Sequence, residues 1–243
     1  MSAAKYTPEE ILQILTDSYN CQSVFDPEAA PGQELTFETT ISDWRTICDL
    51  IEPKSLAKVY YDLFNLETPL FHLEDILLLK KNSLKVFCTY ISDHAKKQTI
   101  LPVIMMGQSC LTAAIFKTLI SNLQAKGVKT EAIKPSSKFI PLFYKYGGVL
   151  LFEVNKLAPG SLTKFEYKDN RIVRAGWSII GMFSLSIIIV PIIWHFHWSL
   201  LITLGIGFIV IVIGNRFKPE KINIGDYDTV RDLILGMQSH LKR

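Results

Sequence analysis

The chain has 243 residues, 49% of them hydrophobic and 20% charged, with a formal net charge of +3. That length holds one or two modest domains, and the apolar share excludes a fully solvated, disordered chain. Four cysteines at spacings of 27, 40 and 22 residues match neither a zinc pattern nor a dense disulfide framework, so a reducing compartment is expected.

The net charge conceals an asymmetry. Residues 1–98 carry 9 basic and 15 acidic side chains, a net of −6, whereas residues 99–174 carry 11 and 4, a net of +7. Residues 216–243 carry 6 and 4, a net of +2. The basic stretch directly precedes the most apolar part of the chain, which predicts contact between residues 99–174 and anionic lipid headgroups. A basic face also suits nucleic acid, but no recognised motif accompanies it, and no nucleic-acid partner is expected.

In chain order, the polar start Met1 to Glu10 shows no secretory leader. Thr7-Pro8-Glu9-Glu10 reads as a capping box with proline at the first helical position, opening a helix to about Tyr19 with Ile11, Leu12, Ile14 and Leu15 inward. Residues 26–40, with prolines, a glycine and several acids, read as a loop. Ser42 is expected to cap a helix through Leu50 that buries Trp44, Ile47 and Cys48. Pro53 starts another, with Leu56, Val59, Tyr60 and Leu63 inward, and 73–79 forms a short one. Asn82 or Ser83 caps a helix to about His94 that buries Leu84, Phe87, Cys88 and Ile91. The first hundred residues thus read as an acidic helical bundle.

The order Lys54-Ser55-Leu56-Ala57-Lys58-Val59, Phe64-Asn65-Leu66-Glu67-Thr68-Pro69 and the 83–94 helix resembles an acyl-carrier-protein module over residues 8–95. Members of that family carry phosphopantetheine on the serine of an Asp-Ser-Leu motif, the place that Ser55 takes here. Lys54 stands where the family's Asp-Ser-Leu motif has aspartate, which implies that Ser55 is unmodified.

The middle of the chain is mixed. Residues 99–106 are plausible as a strand, and Ser109 is expected to cap a helix to Lys126 that Gly127 stops. Its inward residues would be Leu111, Ile115, Phe116, Leu119, Ile120 and Leu123. Residues 128–160, interrupted by Pro135, Pro141, Gly147-Gly148 and Pro159-Gly160, read as loops and short elements. Phe165-Glu166-Tyr167 and Arg171-Ile172-Val173 suit either a small hairpin or a helical approach to a membrane. Near the end, Asp228 is expected to cap a helix carrying Val230, Leu233, Ile234, Met237 and Leu241.

Residues 175–215 form a block of 41 without Asp, Glu, Lys or Arg, divided at His195-Phe196-His197-Trp198 into runs at 177–194 and 199–214. Crossing a hydrocarbon core takes about 17–25 residues, so the block reads as a transmembrane helical hairpin. Trp177, Trp194 and Trp198 are the expected interface anchors, with Arg171, Arg174, Arg216 and Lys218 at the charged flanks. Lys164, Lys168 and Lys221 add to those flanks while the connecting turn has no cation, so both termini should face the cytoplasm. Pro191 falls in the last turn of the first helix, where a lost backbone bond costs least. Gly181 with Ser178 and Ser184, and Gly207 with Gly214, mark small-residue stripes for close helix packing. The competing reading is a hydrophobic hairpin buried in a soluble core.

Other motifs invite chemistry. Gly107-Gln108-Ser109-Cys110 resembles a nucleophile elbow, but Leu111 stands where the second glycine belongs. Cys110 at a helix start suits a thiolate nucleophile, with His94 as a distant candidate base. His195 and His197 offer two metal ligands without a third nearby.

The expected fold is therefore mainly α with a mixed α/β middle: a cytoplasmic helical bundle plus a C-terminal two-helix transmembrane hairpin. The expected domains are 1–98, 99–174, 175–215 and 216–243. The expected function is a membrane-anchored accessory or scaffold protein that presents residues 1–98 to a protein partner, without cofactor, metal or inferred catalysis. The alternatives are a membrane-surface enzyme using 99–160, a carrier-like module and an oligomeric pore.

Overall fold

The computed structural model describes residues 4–26, 28–29, 32–105, 107–162, 164–168, 175–176, 178–180, 206–213 and 221–241. Within them the chain is mainly helical: α1 (Pro8–Phe25), α2 (Ile41–Ile47), α3 (Pro53–Phe64), α4 (Leu70–Leu78), α5 (Leu84–His94), α6 (Leu111–Ala125), α7 (Phe139–Leu157) and α8 (Val230–Leu241). Two short strand pairs accompany them, β1 (Val103–Met105) with β2 (Gln108–Cys110) and β3 (Phe165–Lys168) with β4 (Lys221–Ile224). Contacts divide the chain into two units, one of 1–165 with 224–243 and one of 166–223.

In the first unit the capping box is present: Thr7 Oγ1 accepts from the Glu10 backbone and Glu10 accepts from the Thr7 backbone. α1 runs past Tyr19 to Phe25 because Cys21 continues its buried stripe, and Gln22 ties its end to the Cys48 carbonyl at 2.6 Å. α2 starts two residues earlier than a Ser42 cap would place it. Thr40 is its N-cap, its side chain accepting from the Asp43 backbone, and the helix ends at Ile47. α3 begins at Pro53 but buries Leu56, Ala57, Tyr60 and Phe64, while Val59 is 44% exposed. The four residues expected inside α5, Leu84, Phe87, Cys88 and Ile91, are all fully buried. Ser83 makes no side-chain cap. Instead the Leu84 and Lys85 N–H groups donate to the Thr39 and Phe37 carbonyls, so the 37–40 segment satisfies those helix-end donors.

These helices enclose one apolar cluster reaching from Tyr6 to Ala95. At its centre Trp44 lies 5.8 Å from Tyr60 and 5.4 Å from Phe87, ring centre to ring centre.

α6, α7 and α8 pack on one another, and α7 also packs on α1. Here the structure corrects three expectations. Ser109 does not cap α6; it pairs with Ile104 in the β1–β2 hairpin, and Cys110 is the N-cap residue. Residues 139–157, expected as loops and short pieces, form two helical stretches that meet at a kink and together make up α7. Pro141 sits in its first turn, where a missing N–H costs nothing, and the glycine pair follows a kink at Tyr146, whose φ is −133°. Thr229, not Asp228, caps α8: its hydroxyl donates to Asp232 at 2.7 Å and accepts from the Asp232 backbone. Asp228 instead offers its carbonyl to the Phe139 N–H, while the Val230 N–H donates to Ser137, so α7 and α8 satisfy each other's first turns. Gly127, with φ +81°, ends α6 as expected.

In the second unit β3 pairs with β4, from beyond the apolar block; 171–173, the other half of the expected hairpin, lie outside the described residues. Helical residues occur at 175–176, 178–180 and 206–213. Among the described residues no helix is long and apolar enough to cross a membrane. The greater part of the expected spans, 181–205 and 214, lies outside them, as do Trp177, Trp194, Trp198, Arg171, Arg174, Arg216 and Lys218.

Candidate functional site

The second unit holds the most unusual chemistry of the described chain. Helical segment 206–213 exposes Ile206, Phe208, Ile209, Val212 and Ile213, each between 47% and 62%. Gly207 and Ile211, on its remaining face, are buried. There the backbone approaches that of Gly176 closely. A Cβ on Gly207 would stand 2.9 Å from Ile180 Cγ1, and one on Gly176 would stand 2.5 Å from Ile211 Cγ1 and 3.1 Å from the Gly207 carbonyl. Of the expected small-residue stripe, Gly207 therefore does pack against the preceding apolar segment. Its partner Gly176 went unnoticed, and Gly181 and Gly214 lie outside the described residues. Among the described residues this segment is therefore covered along its glycine seam and exposes apolar side chains elsewhere.

The first unit contains a polar cleft of about 370 Å³ lined by Glu9, Glu10, Gln13, Lys97, Pro159 and His240, among others. Lys97 is ion-paired with Glu10. Behind it Asp17, buried on α1, accepts from Gln13 Nε2 at 2.8 Å and from the Gly160 N–H at 2.9 Å. Burial pushes the Asp17 carboxyl from 3.8 up to about 6, with the Gln13 and Gly160 hydrogen bonds opposing. Nearby, buried Glu153 pairs with Lys156 at 3.0 Å, and the Tyr6 hydroxyl donates to the Lys156 carbonyl at 3.1 Å. Burial, helped by Glu10 and Glu153, raises the Tyr6 hydroxyl well above its usual value. Sequence reasoning passed over Asp17, although a lone acid inside the inward stripe of α1 is a legible signal. Its oxygens serve to join α1 to the turn after α7.

Among the described residues the motifs that invited chemistry stand apart from one another. Ser109 lies in a hairpin strand and not at a strand-to-helix elbow. The Cys110 thiol contacts Thr112 Oγ1 at 3.9 Å, and His94 Nδ1 contacts the Tyr90 carbonyl at 2.8 Å. Ser55 is exposed near the start of α3 and donates to Glu52 Oε1 at 3.2 Å. His195 and His197 lie outside the described residues, among which no group of three His, Cys, Asp or Glu side chains is placed to hold a metal. An apolar groove of about 380 Å³ opens between α1, α2, α3 and α7, with Trp44, Cys48, Leu56 and Leu151 in its walls.

Comparison with known proteins leaves the function to this geometry: no family model, no curated protein and no solved structure matches the chain.

Proposed function

We propose that this protein is an integral membrane protein anchored by a two-helix hairpin over residues 175–215, and that it acts as a scaffold. In this reading both termini are cytoplasmic, and the acidic helical bundle of residues 1–98 is held near the bilayer for a protein partner. The carrying observation is the outward apolar face of 206–213, with five large apolar side chains exposed around the Gly176–Gly207 contact. Exposing such a face to water is unfavourable, and exposing it to acyl chains is not. The uncharged block supplies the length to span, and the cationic flanks supply the orientation. The pairing of β3 with β4 is a further support, because it sets residues 165–168 beside 221–224 and so favours entry and exit on one side. Trp177, Trp194 and Trp198 then lie at the interfaces, and the net +7 of residues 99–174 faces anionic headgroups.

Membrane fractions washed with alkaline carbonate test the anchor. The full chain should stay in the pellet and leave it only with detergent. Maleimide labelling of Trp198→Cys and Arg243→Cys in sealed vesicles should place the two positions on opposite sides. Recovery in the supernatant without detergent, or labelling on one side, removes the proposal. Affinity purification from detergent extracts should bring down a protein whose retention is lost when exposed residues of α4 and α5 are substituted.

A further inference from the structure

The β1–β2 hairpin leaves Ile104 uncovered, beside exposed Ser109. Val103 pairs with Cys110 and Ile104 with Ser109, so these two pairs point to opposite sides of the ribbon. Val103 and Cys110 are half-buried, whereas Ile104 is 80% exposed and Leu101, just before the strand, 70%. Those are the largest fractions for any large hydrophobic side chain among the described residues. β1 packs on α6, which carries exposed Lys117 and is followed by exposed Lys126, Lys129 and Lys134. Among the described residues none of these four lysines is in an ion pair.

Two occupants suit a ribbon that exposes Ile104: the strand of another protein, or lipid. Strand addition is disfavoured because β1 and β2 are three residues long and Pro102, which has no N–H, precedes β1. The surplus of unpaired lysines points to a surface of dispersed negative charge. We propose that the hairpin is a second membrane contact, laying Leu101 and Ile104 into the headgroup–acyl boundary of an anionic bilayer. The lysines of 117–134 supply the attraction. Only side chains enter, because the outer strand edges carry backbone groups that need water or headgroups as partners. This inference rests on the proposed anchor for its nearness to a bilayer and assigns the element that grips the surface.

The test uses the full chain with Ile104 replaced by p-benzoylphenylalanine, reconstituted into vesicles of equal phosphatidylcholine and phosphatidylglycerol or of phosphatidylcholine alone. At 80% exposure the replacement leaves the core untouched. Irradiation should attach phospholipid to the peptide carrying position 104, several-fold more in the anionic vesicles. Lys117→Gln combined with Lys126→Gln and Lys129→Gln should lower that yield several-fold, and the same probe at Val59 should give little. Absence of a lipid adduct, attachment to a second polypeptide, or equal yield in both vesicles overturns the inference. A carbonate-resistant protein without an adduct sinks the hairpin contact alone. An adduct on a protein that carbonate removes sinks the anchor alone.

Discussion

The Asp17 carboxylate accepts a hydrogen bond from the Gly160 backbone N–H at 2.9 Å, joining two residues 143 positions apart. It fastens the turn after α7 to the middle of α1, inside a region where an ionised carboxyl is poorly solvated. Burial raises Asp17 to about 6 from an ordinary 3.8. A raised carboxyl favours folding most when protonated, so its contribution is complete below about pH 4 and lost as pH rises through 6. Thermal melts of the detergent-solubilised protein should show Asp17→Asn gaining on the parent between pH 4 and pH 7. The gain is bounded at about 3 kcal/mol. Asp17→Ala should instead destabilise at every pH, by about 1–3 kcal/mol, because the Gly160 N–H is left buried without an acceptor. A parent and Asn variant with parallel pH profiles would refute the assignment.

Thiol reactivity separates the four cysteines. Burial pushes the Cys21, Cys48 and Cys88 thiols up to about 12, while Cys110 is only half-buried. The thiolate is the reactive form. Iodoacetamide at pH 8 on the native protein should modify Cys110 first, with the other three reacting only on unfolding. Mass spectrometry of peptides after timed quenching reads the order.

α7 carries an avoidable weakness. A Cβ on Gly148 meets nothing within 4 Å, and its φ is not positive. Gly148→Ala should therefore stabilise by about 0.4–1 kcal/mol, chiefly by reducing the freedom of the unfolded chain. The same change at Gly147 places the new carbon 3.4 Å from the Phe143 ring and should give less. Melting temperatures of the two variants decide it.

The glycine seam of the second unit should be intolerant in a graded way. Gly176→Ala must displace both Ile211 Cγ1 at 2.5 Å and a backbone carbonyl at 3.1 Å, whereas Gly207→Ala meets Ile180 Cγ1 at 2.9 Å and Ile179 Cγ2 at 3.2 Å, with the Gly176 carbonyl only at 3.4 Å. The first should cost more than the second, and valine at either position about 1–3 kcal/mol through overpacking. Protease resistance of the 166–223 segment in detergent measures the ranking.

Much of the helical architecture was written locally. The Thr7–Glu10 box, the 84/87/88/91 stripe, the Gly127 stop and the apolar spacing of α8 all work within a turn or two of chain. A backbone donor finds its cap and a side chain finds its helix face from near neighbours alone. Local rules erred where two signals competed. Pro141 and Gly147-Gly148 look like breakers, yet the first occupies a helix start and the second a kink. Ser42 and Asp228 look like caps, yet Thr40 and Thr229 hold those positions because the chain before each helix is extended alongside another segment.

Composition by itself determined the mainly helical character, the split of charge between 1–98 and 99–174, and the uncharged block of 175–215. Those follow from the summed preferences of residues near one another. Only the tertiary structure decided that Asp17 meets Gly160, that β3 joins β4, that Gly176 meets Gly207 and that Ile104 stands uncovered. Each depends on which distant surfaces come together to bury apolar area and satisfy backbone groups, a choice made by the whole chain at once.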